Sequence, residues 1–173
     1  MSKIILVTGG QRSGKSQFAE SLALQYSDNP VYLATARIYD DEMKERVRLH
    51  KNRREKNWIN IEEPLNITIH SDLIAGKTVL VDCITMLATN FFFDCNEDGA
   101  LTYKRLSQEL DSFMNIPDST IIFVTNEIGL GGIGANHIQR KFGDIQGSIN
   151  QFIAKRADEV FFLLSGIPLK IKP

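Results

Sequence analysis

Apolar residues along this chain follow two patterns: short near-continuous runs, and longer stretches in which an apolar residue recurs every three or four positions. The runs predict five buried strands, at residues 4–7, 31–33, 78–82, 120–124 and 159–164, and the alternation at 169–172 predicts an edge strand. The helical period predicts helices within residues 18–26, 84–92, 101–113 and 145–153. Because strands that are apolar throughout are typical of parallel sheets, we expect an α/β fold of three layers, a mainly parallel sheet with helices on both faces and a short C-terminal edge hairpin.

Two stretches between these elements are less regular. Carboxylates at residues 40–42 lie where a helix N-terminus favours them, so we expect a helix from 42 to about 51. Residues 58–74 fit neither period well. Here we expect a turn at 62–64 and a lone surface imidazole at His70.

The first strand breaks into a glycine-rich turn that fits the pattern G-x-x-x-x-G-K-[ST] at Gly9, Gly14, Lys15 and Ser16. Glycines let backbone N–H groups close around phosphate oxygens, the ammonium of Lys15 reaches the β- and γ-phosphates, and the hydroxyl of Ser16 ligates Mg²⁺. The following helix points its N-terminus at the same anion. Since a β-rich run precedes the turn and a helical period follows it, the sequence predicts a nucleoside triphosphate site.

A second element of such a site is an acid at the end of a buried strand. Asp82 ends the apolar run 78–82, and an aspartate at the carboxyl end of a parallel strand lies beside the phosphate loop, where Mg²⁺ binds. A helix N-cap is the alternative role for an acid in this place.

Positive charge concentrates in one short segment. Six of the eleven residues from 46 to 56 are Lys or Arg, and Met43, Val47 and His50 share one face of the helix expected there. Spacing alone leaves two interpretations of this segment open. It is either a solvated cationic helix face with a half-buried His50, or a segment that binds phosphate.

Two further motifs do not define the site. Gly129, Gly131 and Gly134 match G-x-G-x-x-G, but that dinucleotide fingerprint belongs to the first βα turn, which the phosphate loop already fills. Asp144 and Gly147 resemble a GTPase switch, but no strand precedes them and the chain contains no N-K-x-D motif. We therefore expect neither a dinucleotide fold nor a signalling GTPase.

Bulk composition narrows the class of protein. The chain has 173 residues and a net charge of −1, so we expect one domain over residues 1–173 and no general nucleic-acid footprint. Cys83 and Cys95 have neither metal-ligand nor C-x-x-C spacing and are interpreted as reduced structural thiols. Without a signal peptide or an apolar run near 18 residues, we expect a cytoplasmic protein with no membrane span.

An ordered set of motifs over nearly the whole chain resembles one family, the bifunctional adenosylcobinamide kinase/adenosylcobinamide-phosphate guanylyltransferases of cobalamin assembly. The set includes T-G-G-x-R-S-G-K-S at 8–16, A-T-A at 34–36, D-D-E-M at 40–43, His50-Lys51, D-C-I-T at 82–85, V-T-N-E at 124–127, D-I at 144–145, A-D-E-V at 157–160, S-G-I at 165–167 and K-I-K at 170–172. The phosphate loop alone is common to many folds, whereas the ordered set is specific.

The resemblance implies two reactions. In the first, the γ-phosphoryl group of ATP or GTP passes to the aminopropanol hydroxyl of adenosylcobinamide. In the second, GTP transfers GMP to that product through a guanylylated histidine at the position of His50, giving adenosyl-GDP-cobinamide and pyrophosphate. A neutral imidazole is a competent nucleophile toward an α-phosphorus, and the surrounding cations would stabilise the departing pyrophosphate. His50 and Lys15 are therefore the expected catalytic residues.

The resemblance also implies a homotrimer, and it assigns a nucleotide site to a defined set of residues, with Mg²⁺ held by Ser16 and Asp82. That set is Gly9, Gly10, Gln11, Arg12, Ser13, Gly14, Lys15, Ser16, Thr35, Ala36, Arg37, Lys51, Asn52, Arg53, Arg54, Glu62 and Asp82. Two alternatives remain open: a P-loop small-molecule kinase with a structural His50, and a nucleotide-dependent binding switch that docks a partner on residues 46–56.

Overall fold

A computed structural model describes residues 2–38, 41, 44, 45, 48 and 57–173. Within these residues seven strands form one sheet in the order β3-β2-β4-β5-β1-β6-β7. The strands are β1 Lys3–Gly9, β2 Val31–Ala34, β3 Ile59–Glu62, β4 Thr78–Asp82, β5 Thr120–Val124, β6 Glu159–Leu164 and β7 Ile167–Lys172. β1 to β6 run parallel, and β7 pairs antiparallel with β6. The prediction of a mainly parallel sheet with a C-terminal edge hairpin is confirmed.

Helices cover the sheet on both faces. The described helices are α1 Lys15–Tyr26, α2 Ser71–Ile74, α3 Ile84–Asp94, α4 Gly99–Met114 and α5 His137–Arg156, with 3₁₀ turns at Ile67–His70 and Ile128–Gly131. α5 begins well before the apolar period at 145–153, because the Asn136 side chain accepts a hydrogen bond from the backbone N–H of Gln139 and caps an exposed first turn. None of the described helices is both long enough and apolar enough to span a bilayer.

Two hydrophobic clusters explain why the central strands are apolar throughout. In β1, Ile4 and Leu6 pack into the cluster under α3, α4 and α5, whereas Ile5 and Val7 pack into the cluster under α1. Alternate residues of a strand point to opposite faces, so a strand covered on both sides needs an apolar residue at every position.

The interpretation of residues 58–74 was wrong in part. Residues 59–62 form β3, a parallel edge strand on β2, which was not predicted. The chain bends at residues 64–65, so the expected turn lies just after Glu62 rather than at it. The strand has only one buried side chain, that of Ile61, so its apolar signal is weak. His70 is half-buried, and its Nε2 atom lies 4.0 Å from Oε2 of Glu63, so it is not an isolated surface imidazole.

The cationic segment is described only at a few positions. Lys44, Glu45 and Arg48 are helical, as the prediction for residues 42–51 requires. Arg48 is exposed, and its Nη2 atom lies 2.6 Å from Oε1 of Glu45. This cation therefore has an acidic neighbour on its own helix, while His50 lies outside the described residues.

Phe123 tests how far the core under α4 supports the sheet. Its side chain is fully buried and packs on Phe113 with ring centroids 6.1 Å apart. We expect Phe123→Ala to lower the free energy of unfolding by about 3–5 kcal/mol, because the truncation leaves a cavity in a close-packed core. Urea denaturation would measure the change.

The matched control for this substitution is Leu164→Ala, in strand β6 of the same sheet, where the residue is 66% exposed. This change should alter the free energy of unfolding by about 0.5 kcal/mol or less. Equal effects of the two substitutions would contradict the assignment of Phe123 to a tightly packed core.

Candidate nucleotide-binding site

The loop between β1 and α1 has the backbone shape of a phosphate cradle. Gly9 and Gly14 have φ angles of 148° and 93°, and Arg12 between them has a φ of 56°. Positive φ angles turn the chain tightly and let consecutive N–H groups face one concavity. α1 starts directly after Gly14, so its unpaired N-terminal N–H groups face the same place.

Two contacts hold this loop against the hairpin of β6 and β7. A Cβ atom added at Gly9 would lie 2.5 Å from the carbonyl oxygen of Leu163, and one added at Gly14 would lie 3.2 Å from Cα of Gly166. The backbone N–H of Gly166 donates a 2.9 Å hydrogen bond to the carbonyl of Ser13. The glycines are therefore required by a close approach between backbones as well as by their φ angles.

Lys15 is held inside the loop. Its side chain is buried with 7% exposure, and Nζ donates hydrogen bonds to the carbonyl of Gly10 at 2.5 Å and to Oγ of Ser13 at 3.5 Å. Burial lowers the pKa of Lys15, while Cys83 and Asp82 act in the opposite direction. The ammonium group is thus positioned before any phosphate binds, close enough to Asp82 to interact with it.

The pairing of the strands brings Glu62, Asp82 and the segment after Ala34 to the same edge of the sheet. Ala34 at the end of β2 pairs with Glu62 on one side and with Asp82 on the other. The hydroxyl of Tyr32 donates a 2.8 Å hydrogen bond to Oδ2 of Asp82, which fixes the orientation of that carboxylate. Glu62, Asp82 and the residues after Ala34 therefore lie along one line at the carboxyl edge.

Thr35 has a structural contact at this edge. Its hydroxyl donates to the carbonyl of Cys83 at 2.7 Å and accepts from the Cys83 N–H at 3.0 Å, while the Asn90 side-chain amide donates to the Thr35 carbonyl at 2.8 Å. The Thr35 side chain is fully buried, so it ties β2 to β4, and a contact of this segment with nucleotide stays a prediction.

The two cysteines are free thiols, as expected. Burial raises the pKa of the Cys83 thiol to about 12, and the neighbouring Asp82 carboxylate adds to the shift. Cys83 is therefore neutral at physiological pH, although it adjoins the site, and it is not a thiolate nucleophile.

Ser16 and Asp82 suit Mg²⁺. A hydroxyl and a carboxylate are oxygen donors of the kind that Mg²⁺ prefers, and this ion usually takes one or two protein oxygens together with waters and phosphates. Ser16 lies in the first turn of α1, directly after the lysine with which Asp82 interacts. Over the described residues 2–38 and 57–173 no cluster of three His, Cys, Asp or Glu side chains is present.

Some of the other predicted site residues are described by the structure, and others lie outside the described residues. Gln11 and Arg12 are exposed at the tip of the loop, Ser13 is buried beneath it, and Ala36 and Arg37 are half-buried after β2. Residues 50–54, which include His50 and the cations Lys51, Arg53 and Arg54, lie outside the described residues. The structure thus brings the loop, Asp82, Glu62 and residues 35–37 to one edge, and the roles of all these residues stay predictions.

Sequence reasoning did not include a buried polar cluster after β5 among the site residues. Oε1 of Glu127 accepts hydrogen bonds from the Thr8 hydroxyl and from the Asn150 amide, both at 3.0 Å. Oδ1 of Asn150 in turn accepts from the Thr125 hydroxyl and the Gln146 amide, both at 2.8 Å. We call Thr8, Thr125, Glu127, Gln146 and Asn150 the β5 polar cluster.

A signal for this cluster was present in the sequence. Gln146 and Asn150 are spaced four residues apart on the apolar stripe of α5 and are buried with 0% and 5% exposure. Amides in such a stripe need buried partners, since an unpaired buried polar group is costly. The residues T-N-E after an apolar strand supply those partners, but only the tertiary structure reveals the pairing.

The two motifs set aside in the sequence lie in unsuitable places. Gly129 and Gly131 belong to the 3₁₀ turn after β5, which is not the first βα turn. Asp144 and Gly147 lie inside α5 and therefore do not form a switch loop. Neither motif adds a second nucleotide site.

Strand, glycine loop, helix and strand-terminal acid together define a P-loop nucleotide-binding protein. The chain belongs to the cobinamide kinase / cobinamide phosphate guanyltransferase family, whose model matches residues 5–171. It is 38% identical over 181 residues to the bifunctional adenosylcobalamin biosynthesis protein CobU of Escherichia coli K12, covering 98% of this chain and 99% of that protein. It is also 38% identical over 169 residues to the bifunctional adenosylcobalamin biosynthesis protein CobP of Pseudomonas aeruginosa, covering 96% of each.

Solved structures support the fold class independently of these relatives. A prototypical ATPase from a bacterial type III secretion system superposes with a TM-score of 0.57 at 13% identity, over 94% of this chain and 51% of that one. This chain therefore spans about half of that protein. At such low identity the likeness concerns the fold alone.

Gly9→Ala tests whether the loop geometry is needed for nucleotide binding. A methyl group at this position would meet the Leu163 carbonyl at 2.5 Å and would require an L-residue at a φ of 148°. Since strain of this kind costs about 1–3 kcal/mol, we expect nucleotide affinity to fall by about tenfold or more. Isothermal titration calorimetry with GTP would measure the affinity.

Gly147→Ala in α5 is the matched control, because a Cβ atom there would meet no other atom within 4 Å and the residue is not part of the predicted site. It should bind GTP within a few-fold of the wild-type affinity. If Gly9→Ala binds as well as Gly147→Ala, the close approach to Leu163 does not shape the site.

Proposed function

We propose that this protein is a bifunctional adenosylcobinamide kinase and adenosylcobinamide-phosphate guanylyltransferase. The observation that carries the proposal is the buried Lys15 in a glycine loop near Asp82, in a chain that belongs to a family described by these two activities. The substrates are ATP or GTP and adenosylcobinamide in the first step, and GTP and the phosphorylated corrinoid in the second.

In the kinase step the acceptor hydroxyl attacks the γ-phosphorus, a new P–O bond forms, and the bond to the β-phosphate oxygen breaks to release the nucleoside diphosphate. Phosphoryl transfer depends mainly on positioning and on stabilising charge on the phosphate oxygens. The fixed ammonium of Lys15 and the N–H groups of the loop meet these two needs. Mg²⁺ bound by Ser16 and Asp82 would neutralise further charge on the phosphates.

In the transferase step a ring nitrogen of His50 attacks the α-phosphorus of GTP, and the bond to the β-phosphate oxygen breaks to release pyrophosphate. A phosphate oxygen of the phosphorylated corrinoid then attacks the phosphorus of the guanylyl-histidine. The phosphorus–nitrogen bond breaks, which frees the histidine. The covalent intermediate divides one difficult displacement into two. Arg48, Lys51, Arg53 and Arg54 surround His50 in the sequence and would offset the charge of the leaving pyrophosphate.

A homotrimer and a cytoplasmic location are part of the proposal, because the family resemblance implies the first and the use of nucleoside triphosphates suits the second. Sedimentation velocity on the purified protein would test the trimer.

His50→Ala is the direct test of the transferase step. Wild-type protein incubated with α-labelled GTP should acquire label that is stable to alkali and lost in acid, as a phosphorus–nitrogen bond requires. We expect His50→Ala to acquire no such label, because the attacking nitrogen has been removed. Gel autoradiography after denaturation would measure the bound label.

The chain has three histidines, which supplies two matched controls. His70→Ala and His137→Ala should retain the label at the wild-type level. Full labelling of His50→Ala would remove this residue from the mechanism and would favour a kinase in which His50 is structural.

Lys15→Ala tests the kinase step. Without the ammonium group, the γ-phosphate loses its fixed cation, so we expect kcat for γ-phosphate transfer to adenosylcobinamide to fall by about 10²-fold to 10³-fold or more. The exposed Lys104→Ala should keep the wild-type rate. An unimpaired rate for Lys15→Ala in a folded protein would contradict the assignment of the loop to catalysis.

A further inference from the structure

Glu127 occupies a distinctive place beside the phosphate loop. β5 lies between β1, which leads into the loop, and β4, which ends in Asp82. Residues that follow β5 therefore emerge between the lysine clamp and the proposed metal ligand. The backbone N–H of Glu127 donates a 3.1 Å hydrogen bond to the carbonyl of Gly9, the first glycine of the loop.

The β5 polar cluster fixes one side of the Glu127 carboxylate. The Thr8 hydroxyl and the Asn150 amide both donate to Oε1. Asn150 is itself held on both sides, since its amide also donates to the Asn126 carbonyl and its Oδ1 accepts from Thr125 and Gln146. A carboxylate supported by a buried, connected network keeps one orientation, which a reacting group requires.

The other carboxylate oxygen, Oε2, accepts no hydrogen bond from the residues that the structure describes. Glu127 is half-buried, and the residues that follow it, from 129 to 133, are exposed. A substrate can therefore approach this residue from solvent. An oriented carboxylate with one committed oxygen and one open oxygen has the form of a general base.

Resting on the proposed kinase activity, we propose that Oε2 of Glu127 accepts the proton of the acceptor hydroxyl during phosphoryl transfer. As the hydroxyl oxygen forms its bond to the γ-phosphorus, its proton passes to the carboxylate and the nucleoside diphosphate leaves. The phosphate loop binds the nucleotide that donates the phosphoryl group. Glu127, whose backbone is hydrogen-bonded to Gly9 of that loop, accepts the proton of the attacking hydroxyl. Glu127 is then a catalytic residue of the kinase step alone.

Glu127→Gln tests this role, because the side chain keeps its size and one oxygen to accept from Thr8 and Asn150 but loses the basic oxygen. We expect kcat for γ-phosphate transfer to adenosylcobinamide to fall by about 10²-fold to 10⁴-fold. KM for ATP should change by less than a few-fold. Guanylylation of His50 by α-labelled GTP should stay at the wild-type level, since that step needs the loop but not this base.

Two further variants separate catalysis from support of the loop. Glu127→Asp retains a carboxylate, so its kcat for γ-phosphate transfer should be at least tenfold higher than that of Glu127→Gln. Thr8→Val removes a donor to Oε1 and should reduce both activities together if it loosens the loop. A Glu127→Gln protein that loses kinase activity, guanylylation and ATP affinity in parallel would overturn the proposal in favour of a structural role.

The remaining outcomes distinguish this inference from the proposed function. If wild-type protein transfers γ-phosphate and Glu127→Gln does so with kcat within tenfold of wild type, the inference is wrong and the proposed function stands. If wild-type protein transfers no γ-phosphate to adenosylcobinamide, the proposed kinase step and the base that serves it are both wrong.

Discussion

The approach of Gly9 to the carbonyl oxygen of Leu163 is the constraint on which the site depends. β1 passes so close to β6 that a side chain at Gly9 would overlap the neighbouring backbone. The hydrogen bond from Gly166 to Ser13 then holds the far side of the loop. Because Lys15 follows immediately as the first residue of α1, its position is set by this backbone contact. The hairpin of β6 and β7, although it lies at the edge of the sheet, therefore shapes the phosphate cradle.

Parallel strand order converts distant positions in the chain into neighbours at one edge. Glu62, Ala34 and Asp82 are paired across β3, β2 and β4, and β5 places Glu127 between Asp82 and the loop. Buried polar groups at this edge are connected to one another, since an isolated one would be costly in the low-dielectric interior. The same connections that pair the Asn150 side chain and the Gln146 amide nitrogen orient the Glu127 carboxylate. Fold stability and site geometry thus share their hydrogen bonds.

The sequence predicted the parts of this fold that depend on local pattern. The phosphate loop, the apolar central strands and Asp82 follow from residue type and spacing, and the structure has them where they were expected. β3 was missed because an edge strand with one buried side chain carries little periodic signal. The β5 polar cluster was missed because the sequence indicates only that Gln146 and Asn150 are buried amides. Their hydrogen-bond partners depend on how α5 packs on the sheet. Pairing across such distances depends on tertiary structure.

The strand order also bears on how one loop can serve two reactions. Kinase chemistry requires a nucleophile at the γ-phosphorus, and guanylyl transfer requires one at the α-phosphorus of the same class of nucleotide. In the sequence, His50 lies between β2 and β3, whereas Glu127 follows β5, and β2 and β5 flank β4 on opposite sides. Under the proposed function, the histidine segment and the kinase base therefore leave the sheet on either side of Asp82. In a nucleotide bound by the loop, Lys15 would reach the β- and γ-phosphates. The α-phosphorus attacked by His50 and the γ-phosphorus attacked by the acceptor hydroxyl would then be different positions on the nucleotide.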